Sequence, residues 1–385
     1  MRFAGIDIAS QTHVVAIVDE AGRLLLKPTA FQENASGYQK LHRLLGPAAD
    51  LLVAMEATGH YWQNLFADLD AHQYVLCLLN PLRTRRFAQE DLKRAKNDSI
   101  DALGIARFAA QKRPAPTPAL DLHTLALRET VHLRDRLVQD SADRLRQLHR
   151  LIDLGFPELT RLVRTLDSRL ATTLLQRWPT ARDFASQQPD TLAALRYDGH
   201  HLVGTTLAQA LVDAARISVG QHHHSAFRTH VQILCQDIDL LRDRISSLTQ
   251  QITAHVQQDP LASLLTSING IGPLTAAQLV ATLGNPARFR SPAALASYVG
   301  TVPATATSGL HCPSRATLSP IGNAKLRSAL WMPTLAAVRS NPWLRAYYLR
   351  LIGRGKPPKV ALVAAMRKLL VAIHLVAKRR SPFVP

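Results

Sequence analysis

The 385-residue sequence predicts an α/β domain at the N-terminus, a long helical middle, and a mainly α-helical, strongly basic C-terminal domain. Three observations carry that expectation. Short β-rich runs alternate with helical patterns up to a proline cluster at Pro114, Pro116 and Pro118. From about Asp121 to Asp259 the pattern is almost wholly helical. From Pro260 to Pro385 there is no Asp or Glu, while Lys and Arg number sixteen.

In the first domain, Arg2–Ile8 and His13–Val18 read as strands and Arg23–Leu26 as a third. Leu51–Met55 and Tyr74–Leu79 are two further apolar strands, with helical periodicity in the gaps. A β-meander followed by α-β-α-β-α is the element order of RNase H-like folds, although other α/β folds share much of it. The prolines mark a linker, which gives domains over 1–118, 119–259 and 260–385. In the helical middle, Val231, Leu234, Ile238, Leu241, Ile245, Leu248 and Ile252 step by alternating three and four residues. That spacing is a coiled-coil seam. Leu122 to Ile152 is also long and amphipathic, so an antiparallel helix pair flanking a small helical insertion, from about Phe156 to Gly220, is expected. The His222-His223-His224 run reads as a surface turn, because adjacent residues rarely converge on one ion.

The formal charge is +18, and sixteen of those eighteen net positive charges arise beyond Asp259. So one-sided a distribution points to a polyanion, whose phosphates Lys and Arg would neutralise with release of counterions. A membrane is the weaker expectation, since the apolar C-terminal run is interrupted by Arg367 and Lys368. Cys77, Cys235 and Cys312 are odd in number, far apart and without CxxC spacing, which suits a reducing cytoplasm. No export signal is visible at the N-terminus.

Four carboxylates form the first candidate site. Asp7 lies within an apolar strand, AGIDIAS, where a charge buried without a partner would cost several kcal/mol. Glu56 ends the apolar run LLVAMEATG at the C-terminal mouth of a strand. Asp98 and Asp101, three apart in KNDSIDALGIARFA, share one face of a helix. An acid pair at that spacing is more often a solvated helix face, but as an ordered set the four suit two-metal phosphoryl transfer. That chemistry needs hard oxygen ligands on rigid elements, so that Mg²⁺ ions about 4 Å apart can activate the attacking oxygen and stabilise the leaving one. Arg83, Arg85, Arg86, Lys93, Arg94 and Lys96 lie close by in sequence and could neutralise phosphates at the same mouth.

In the last domain, LLTSINGIGPLTAAQLVATLG places Gly270-Ile271-Gly272 between two helical patterns, like a helix-hairpin-helix. In that motif backbone N–H groups and a helix N-terminus reach a phosphate. Further on, TVPATATSGLHCPSRATLSPIGNAKLR carries Arg315, Lys325 and Arg327 but no carboxylate. A domain without acids cannot hold its own Mg²⁺; it can donate a hydroxyl nucleophile. Chemistry alone does not separate Ser308 from Ser314, Ser319 or the Cys312 thiol.

The set AGIDIAS, MEATGHYW and KNDSIDA, followed by SINGIGPLTAAQLVATLG, RFRSPAALASYVGTVP, TSG and LSPIGNAKLR, resembles the IS110 family of insertion-sequence transposases, relatives of the Piv/MooV invertases. The resemblance implies a RuvC-like fold for the first domain. It carries Mg²⁺ (or Mn²⁺) ligation onto Asp7, Glu56, Asp98 and Asp101, and nucleophile status onto Ser308, which would form a phosphoserine link to DNA. It also implies donor and target DNA as substrates, a structured bridge RNA as guide, assembly as a dimer or tetramer, and a bacterial cytoplasm, with association to the nucleoid when bound to DNA. Leu310 and Pro320 depart from the family pattern, which has a second Gly and a Lys there. A Holliday-junction nuclease of RuvC type is the alternative; it would use the carboxylates without the serine.

Overall fold

The computed structural model describes residues 1–90, 98–119, 121–304, 317–318 and 321–384. They form two compact units, Met1–Leu120 and Asp121–Pro385. The first is built on β1 (Arg2–Asp7), β2 (Thr12–Val18), β3 (Leu24–Gln32), α1 (Ala35–Leu45), β4 (Leu51–Glu56), α2 (Trp62–Ala71), β5 (Val75–Leu79), α3 (Pro81–Glu90) and α4 (Asp98–Lys112). The five strands make one mixed sheet in the order β3-β2-β1-β4-β5. β2 is antiparallel to both neighbours, whereas β1, β4 and β5 run parallel. The expected element order, a meander followed by alternating helices and strands, is what the chain adopts.

β3 is longer than the sequence suggested, running through Pro28 to Gln32. It is an edge strand, where a residue without an N–H can sit without breaking a ladder. The central strands are apolar on both faces because both are covered. One layer packs Ile6, Val53, Met55 and Phe31 against Leu41, Leu45, Leu65 and Leu69 of α1 and α2. The opposite layer packs Phe3, Leu52 and Ala54 against Ile105, Ala106 and Ala109 of α4.

The second unit opens with α5 (Leu122–Gly155). Five shorter helices follow: α6 (Leu159–Leu162), α7 (Arg169–Arg177), α8 (Ala181–Ala185), α9 (Pro189–Ala193) and α10 (Thr205–Arg216). α11 (Ser225–Gln258) then returns beside α5; each of these two helices has 34 residues. They run antiparallel, since His123 meets His255 and Arg144 pairs with Asp237. The pair joins two separate cores. At one end Leu148, Leu151, Val231 and Leu234 pack with the insertion α6–α10. At the other, Leu127, Val131, Ile252 and Val256 pack with the C-terminal helices. Between them Ile245 and Leu248 are only half-buried, and polar groups such as Arg144 and Asp237 border the pair.

The C-terminal helices are α12 (Pro260–Leu265), α13 (Pro273–Leu283), α14 (Pro292–Val299), α15 (Ala324–Ala329), α16 (Trp331–Ser340), α17 (Pro342–Gly353) and α18 (Pro358–Arg379). By length and composition α18 is apolar enough to cross a membrane, with a mean hydropathy of 2.0 over its best window, but 61% of that window is buried inside the protein. Leu362, Met366, Leu369, Leu370 and Ile373 are the centre of the C-terminal core. Arg367 and Lys368 lie on its outer side, and Lys368 Nζ rests 5.1 Å from the Trp343 ring centre.

Candidate active site

Asp7 is the last residue of β1 and Glu56 the last of β4, and both are half-buried. The sequence suggested that Asp7 sits inside its strand. The strand stops there instead, which leaves the carboxylate at the mouth of the sheet rather than among apolar side chains. Parallel pairing sets Ile6 beside Met55, so the next step brings Asp7 and Glu56 to the ends of adjacent strands.

α4 reaches the same edge because of Gly5. A Cβ at Gly5 would stand 2.2 Å from Ala106 N and 2.4 Å from Ala102 O, so only a glycine lets the helix backbone lie directly on β1. Ala102 packs on Val14, the partner of Asp7, and Arg113 pairs with Glu20 beyond the far end of β2. α4 therefore runs antiparallel to β1, and its first turn lies at the mouth. Asp101, half-buried, is in that turn, and Asp98 opens the helix; the Asp98 side chain lies outside the described residues. The structure thus brings Asp7, Glu56 and the start of α4 to one edge of the sheet.

α3 begins at the same edge, directly after β5, whose Leu79 pairs with Glu56. Arg83, Arg85 and Arg86 are exposed on it, and the Arg83 guanidinium lies over the Phe108 ring at 5.3 Å. Lys93, Arg94 and Lys96 lie outside the described residues.

One cluster at this mouth escaped the sequence reading. His13, fully buried on β2, accepts at Nδ1 from the Ala9 N–H in the loop that follows Asp7, at 3.2 Å. Because Nδ1 accepts, Nε2 carries the proton, and it donates to Glu33 Oε2 at 2.6 Å. The Tyr38 hydroxyl donates to the same carboxylate at 2.8 Å, and the Asn64 amide, in the first turn of α2 beyond Glu56, donates to it at 3.2 Å. Burial works to raise the Glu33 carboxyl, yet these hydrogen bonds outweigh it and hold the group below its usual range. Burial, and then the Glu33 carboxylate, push the Tyr38 phenol up. Glu33 therefore ties the segments that follow both Asp7 and Glu56. The signal in the sequence was a histidine inside an otherwise apolar strand, THVVAIV.

In the second unit, Gly270 and Gly272 do different things. Gly270 has φ of +100°, and a Cβ there would stand 2.5 Å from Ala337 Cβ, so this glycine serves the packing of α16. Gly272 caps α13, with nothing among the described residues within 4 Å of where its Cβ would be. Lys325 is exposed, whereas the Arg327 guanidinium donates to the carbonyls of Val299 at 3.2 Å and Gly300 at 3.4 Å, fastening the turn after α14. Two strands that the sequence did not suggest, β6 (Pro303–Ala304) and β7 (Thr317–Leu318), pair antiparallel. They bracket residues 305–316, which include Ser308, Cys312, Ser314 and Arg315 and lie outside the described residues, as does Ser319. Cys77 and Cys235 are buried thiols, pushed up by burial to about 11 and about 12.

The DEDD transposase model of IS110 matches residues 4–157, and the model for the transposase IS116/IS110/IS902 family matches residues 262–349; together they span more than half of the sequence. The chain belongs to the IS110 family of transposases. It is accordingly an enzyme that acts on DNA, and the first family match covers the whole mouth described above together with α5. Over nearly its full length this IS110-family chain is similar to the pilin gene-inverting protein of Moraxella bovis, at 24% identity over 99% of this chain and 97% of that protein. The uncharacterized 42 kDa protein of insertion element IS900 from Mycobacterium paratuberculosis is 28% identical, over 100% and 97% of the two chains. The uncharacterized 43.6 kDa protein of insertion element IS110 from Streptomyces coelicolor is 26% identical, over 95% and 91%.

Proposed function

We propose that this transposase is a site-specific recombinase that moves an insertion sequence through a composite site on a RuvC-like domain, with Asp7, Glu56, Asp98 and Asp101 as metal ligands and Ser308 as nucleophile. The observation that carries the reading is the convergence at one sheet edge of Asp7, Glu56 and the first turn of α4. Strands and helices hold that edge rather than flexible loops. Half-buried carboxylates are hard oxygen donors and fit Mg²⁺ or Mn²⁺ better than softer ions. Such ions supply Lewis acidity at the phosphate and a lowered pKa for the attacking hydroxyl.

The protein's own residues do the rest. Glu33 and His13 hold the segments beyond Asp7 and Glu56 in place. The exposed arginines of α3 neutralise phosphate charge at the mouth, and Lys325, Arg315 and the exposed turn at Gly272 bind the DNA backbone in the acid-free domain. The Ser308 oxygen bonds to phosphorus as the DNA ester oxygen leaves with the proton, so the strand is held as a phosphoserine until rejoining reverses the exchange. A structured bridge RNA pairs with donor and target, a reading supported by the excess of Lys and Arg in the acid-free C-terminal region. Two or four copies assemble through α5 and α11.

The test traps the intermediate. The purified ribonucleoprotein is incubated with labelled donor and target DNA in Mg²⁺, denatured, and run on a gel that reveals DNA attached to protein. Attachment that disappears in Ser308→Ala and in Asp7→Ala is the expected result. Cleavage without attachment, persisting in Ser308→Ala, would replace this reading with a hydrolytic junction nuclease of RuvC type.

A further inference from the structure

Far from the catalytic mouth, three side chains gather between the ends of α1 and α2. His42, in the last turn of α1, has Nε2 2.8 Å from Asp68 Oδ2 on α2. His72, which caps α2 four residues further on, has Nδ1 2.8 Å from the Asp68 carbonyl and 3.9 Å from its carboxylate. The two imidazole rings are 4.0 Å apart between centres. One nitrogen of each ring and one oxygen of Asp68 all lie within 4.8 Å of one another.

We infer that His42, Asp68 and His72 form a binding site for a borderline transition-metal ion of the Zn²⁺ class, separate from the carboxylate mouth and stapling α1 to α2. The chemistry of the set decides the class. Two imidazoles and one carboxylate favour Zn²⁺, Co²⁺ or Ni²⁺ and disfavour Mg²⁺, which takes oxygen ligands and surrenders its waters reluctantly. Three protein ligands leave a fourth tetrahedral position for water. Ligands about 2.0–2.1 Å from a tetrahedral ion stand about 3.3 Å from each other, so no pair has to close by more than about 1.5 Å. His72 is the side chain free to make that movement, being about half exposed, whereas His42 and Asp68 are largely covered.

The surroundings hold His42 in place. Its ring stacks on Tyr74 at 5.8 Å with 21° between planes, and the Tyr74 hydroxyl donates to the Gly46 carbonyl at 2.7 Å. The Asp68-x-x-x-His72 spacing puts two donors on one helix face, and His42 supplies the third from the neighbouring helix. The His42–Asp68 hydrogen bond is what the ion would replace, taking a lone pair from each neutral imidazole and one carboxylate oxygen.

The location separates this site from catalysis. Arg2, at the opposite end of β1 from Asp7, donates to the carbonyls of Leu45 and Pro47 just beyond His42, both at 2.9 Å. Five residue steps along β1, roughly 16 Å at about 3.3 Å per step, separate Arg2 from Asp7. No rotamer bridges that length, so an ion here cannot serve the carboxylates.

The metal-stripped full-length protein is titrated with Zn²⁺ by calorimetry in excess Mg²⁺, and with Co²⁺ by visible absorption, which intensifies when coordination falls to four. One equivalent is expected for the wild type. It should be lost in both His42→Ala and His72→Ala and retained in Asp7→Asn and in a variant with His222, His223 and His224 all replaced by Ala. Zn²⁺ should raise the thermal midpoint of the wild type but not that of His72→Ala, whose exposed side chain can be removed without harm to the fold. Failure to bind, or binding that survives both His42→Ala and His72→Ala, overturns the proposal. So does an equivalent that disappears with Asp7→Asn or with the histidine run. Because none of these readouts is recombination, the result is independent of the function proposed above.

Discussion

The approach of α4 to β1 at Gly5 gives the sharpest prediction, because every atom in the way belongs to the backbone. In Gly5→Ala the new Cβ would sit 2.2 Å from Ala106 N, 2.4 Å from Ala102 O and 2.9 Å from Ala106 Cα. No side-chain rotation relieves contacts of that kind, so the helix must withdraw from the strand by about 1 Å to restore ordinary van der Waals separation. Overpacking of this sort costs about 1–3 kcal/mol. On the mechanism proposed above, the second consequence is catalytic. Asp101 and the start of α4 move relative to Asp7 and Glu56, and a misplacement of about 1 Å in a reacting constellation can cost on the order of 100-fold in rate. The assay is the strand cleavage and attachment expected of the proposed mechanism, run in Mg²⁺ and normalised to the folded fraction by circular dichroism, beside a thermal melt. The expected result is a midpoint lowered by several degrees together with a rate loss that the folded fraction does not explain. A Gly5→Ala protein with wild-type melting and a rate within twofold of wild type would refute the argument that the close approach positions the site.

Glu33→Gln keeps the shape of the side chain but loses the charge that organises His13, Tyr38 and Asn64, and hydrogen bonds to a charged group are worth about 1.5–3 kcal/mol each. Lower stability at neutral pH is expected, with a fall in turnover larger than any change in DNA affinity; a pure affinity loss would count against the clamp. The same carboxylate sets a pH dependence. Its folded pKa lies below the ordinary value of 4.5, so its stabilisation is complete above that value and is lost as pH falls through the lower folded value. Denaturant midpoints measured from pH 6 downward should show that acid slope in the wild type and a shallower one in Glu33→Gln. Gly270→Ala, at φ of +100° and against Ala337, should destabilise the C-terminal core by about 1–3 kcal/mol or more. Gly272→Ala has open space and an ordinary φ of −86°, so it should leave the melt within about 1 kcal/mol of wild type, since Ala caps a helix less well than Gly. A weakened, less salt-dependent DNA affinity in Gly272→Ala, measured by titration at several ionic strengths, would show that this turn approaches phosphate; unchanged affinity would remove it from the interface.

Much of this protein was legible before any fold was known, wherever a local rule applied. Periodicity of two and of 3.6 residues marked the strands and the two long helices, because one-sided burial imposes those periods on the chain itself. Asp7 and Glu56 stood out because a charge against an apolar run is conspicuous in one dimension, and the loss of acids after Asp259 needed only counting. Other features exist only as relations between distant segments. The full length of β3 depends on its place at the sheet edge, and Gly5 reads as an ordinary strand glycine until α4, about a hundred residues later, lies on it. His13 and Glu33 look like a misplaced histidine and a loop acid until the sheet and α2 bring Ala9, Tyr38 and Asn64 around them. His42, Asp68 and His72 show no motif, since two helices supply them through separate turns. Arg327 is a further case: the sequence offered it as a phosphate contact, and only the tertiary structure shows that its guanidinium also fastens the carbonyls of Val299 and Gly300. Local sequence determined the type of each element and the charges it carries; only the packing of elements far apart in the chain decided which of those charges meet.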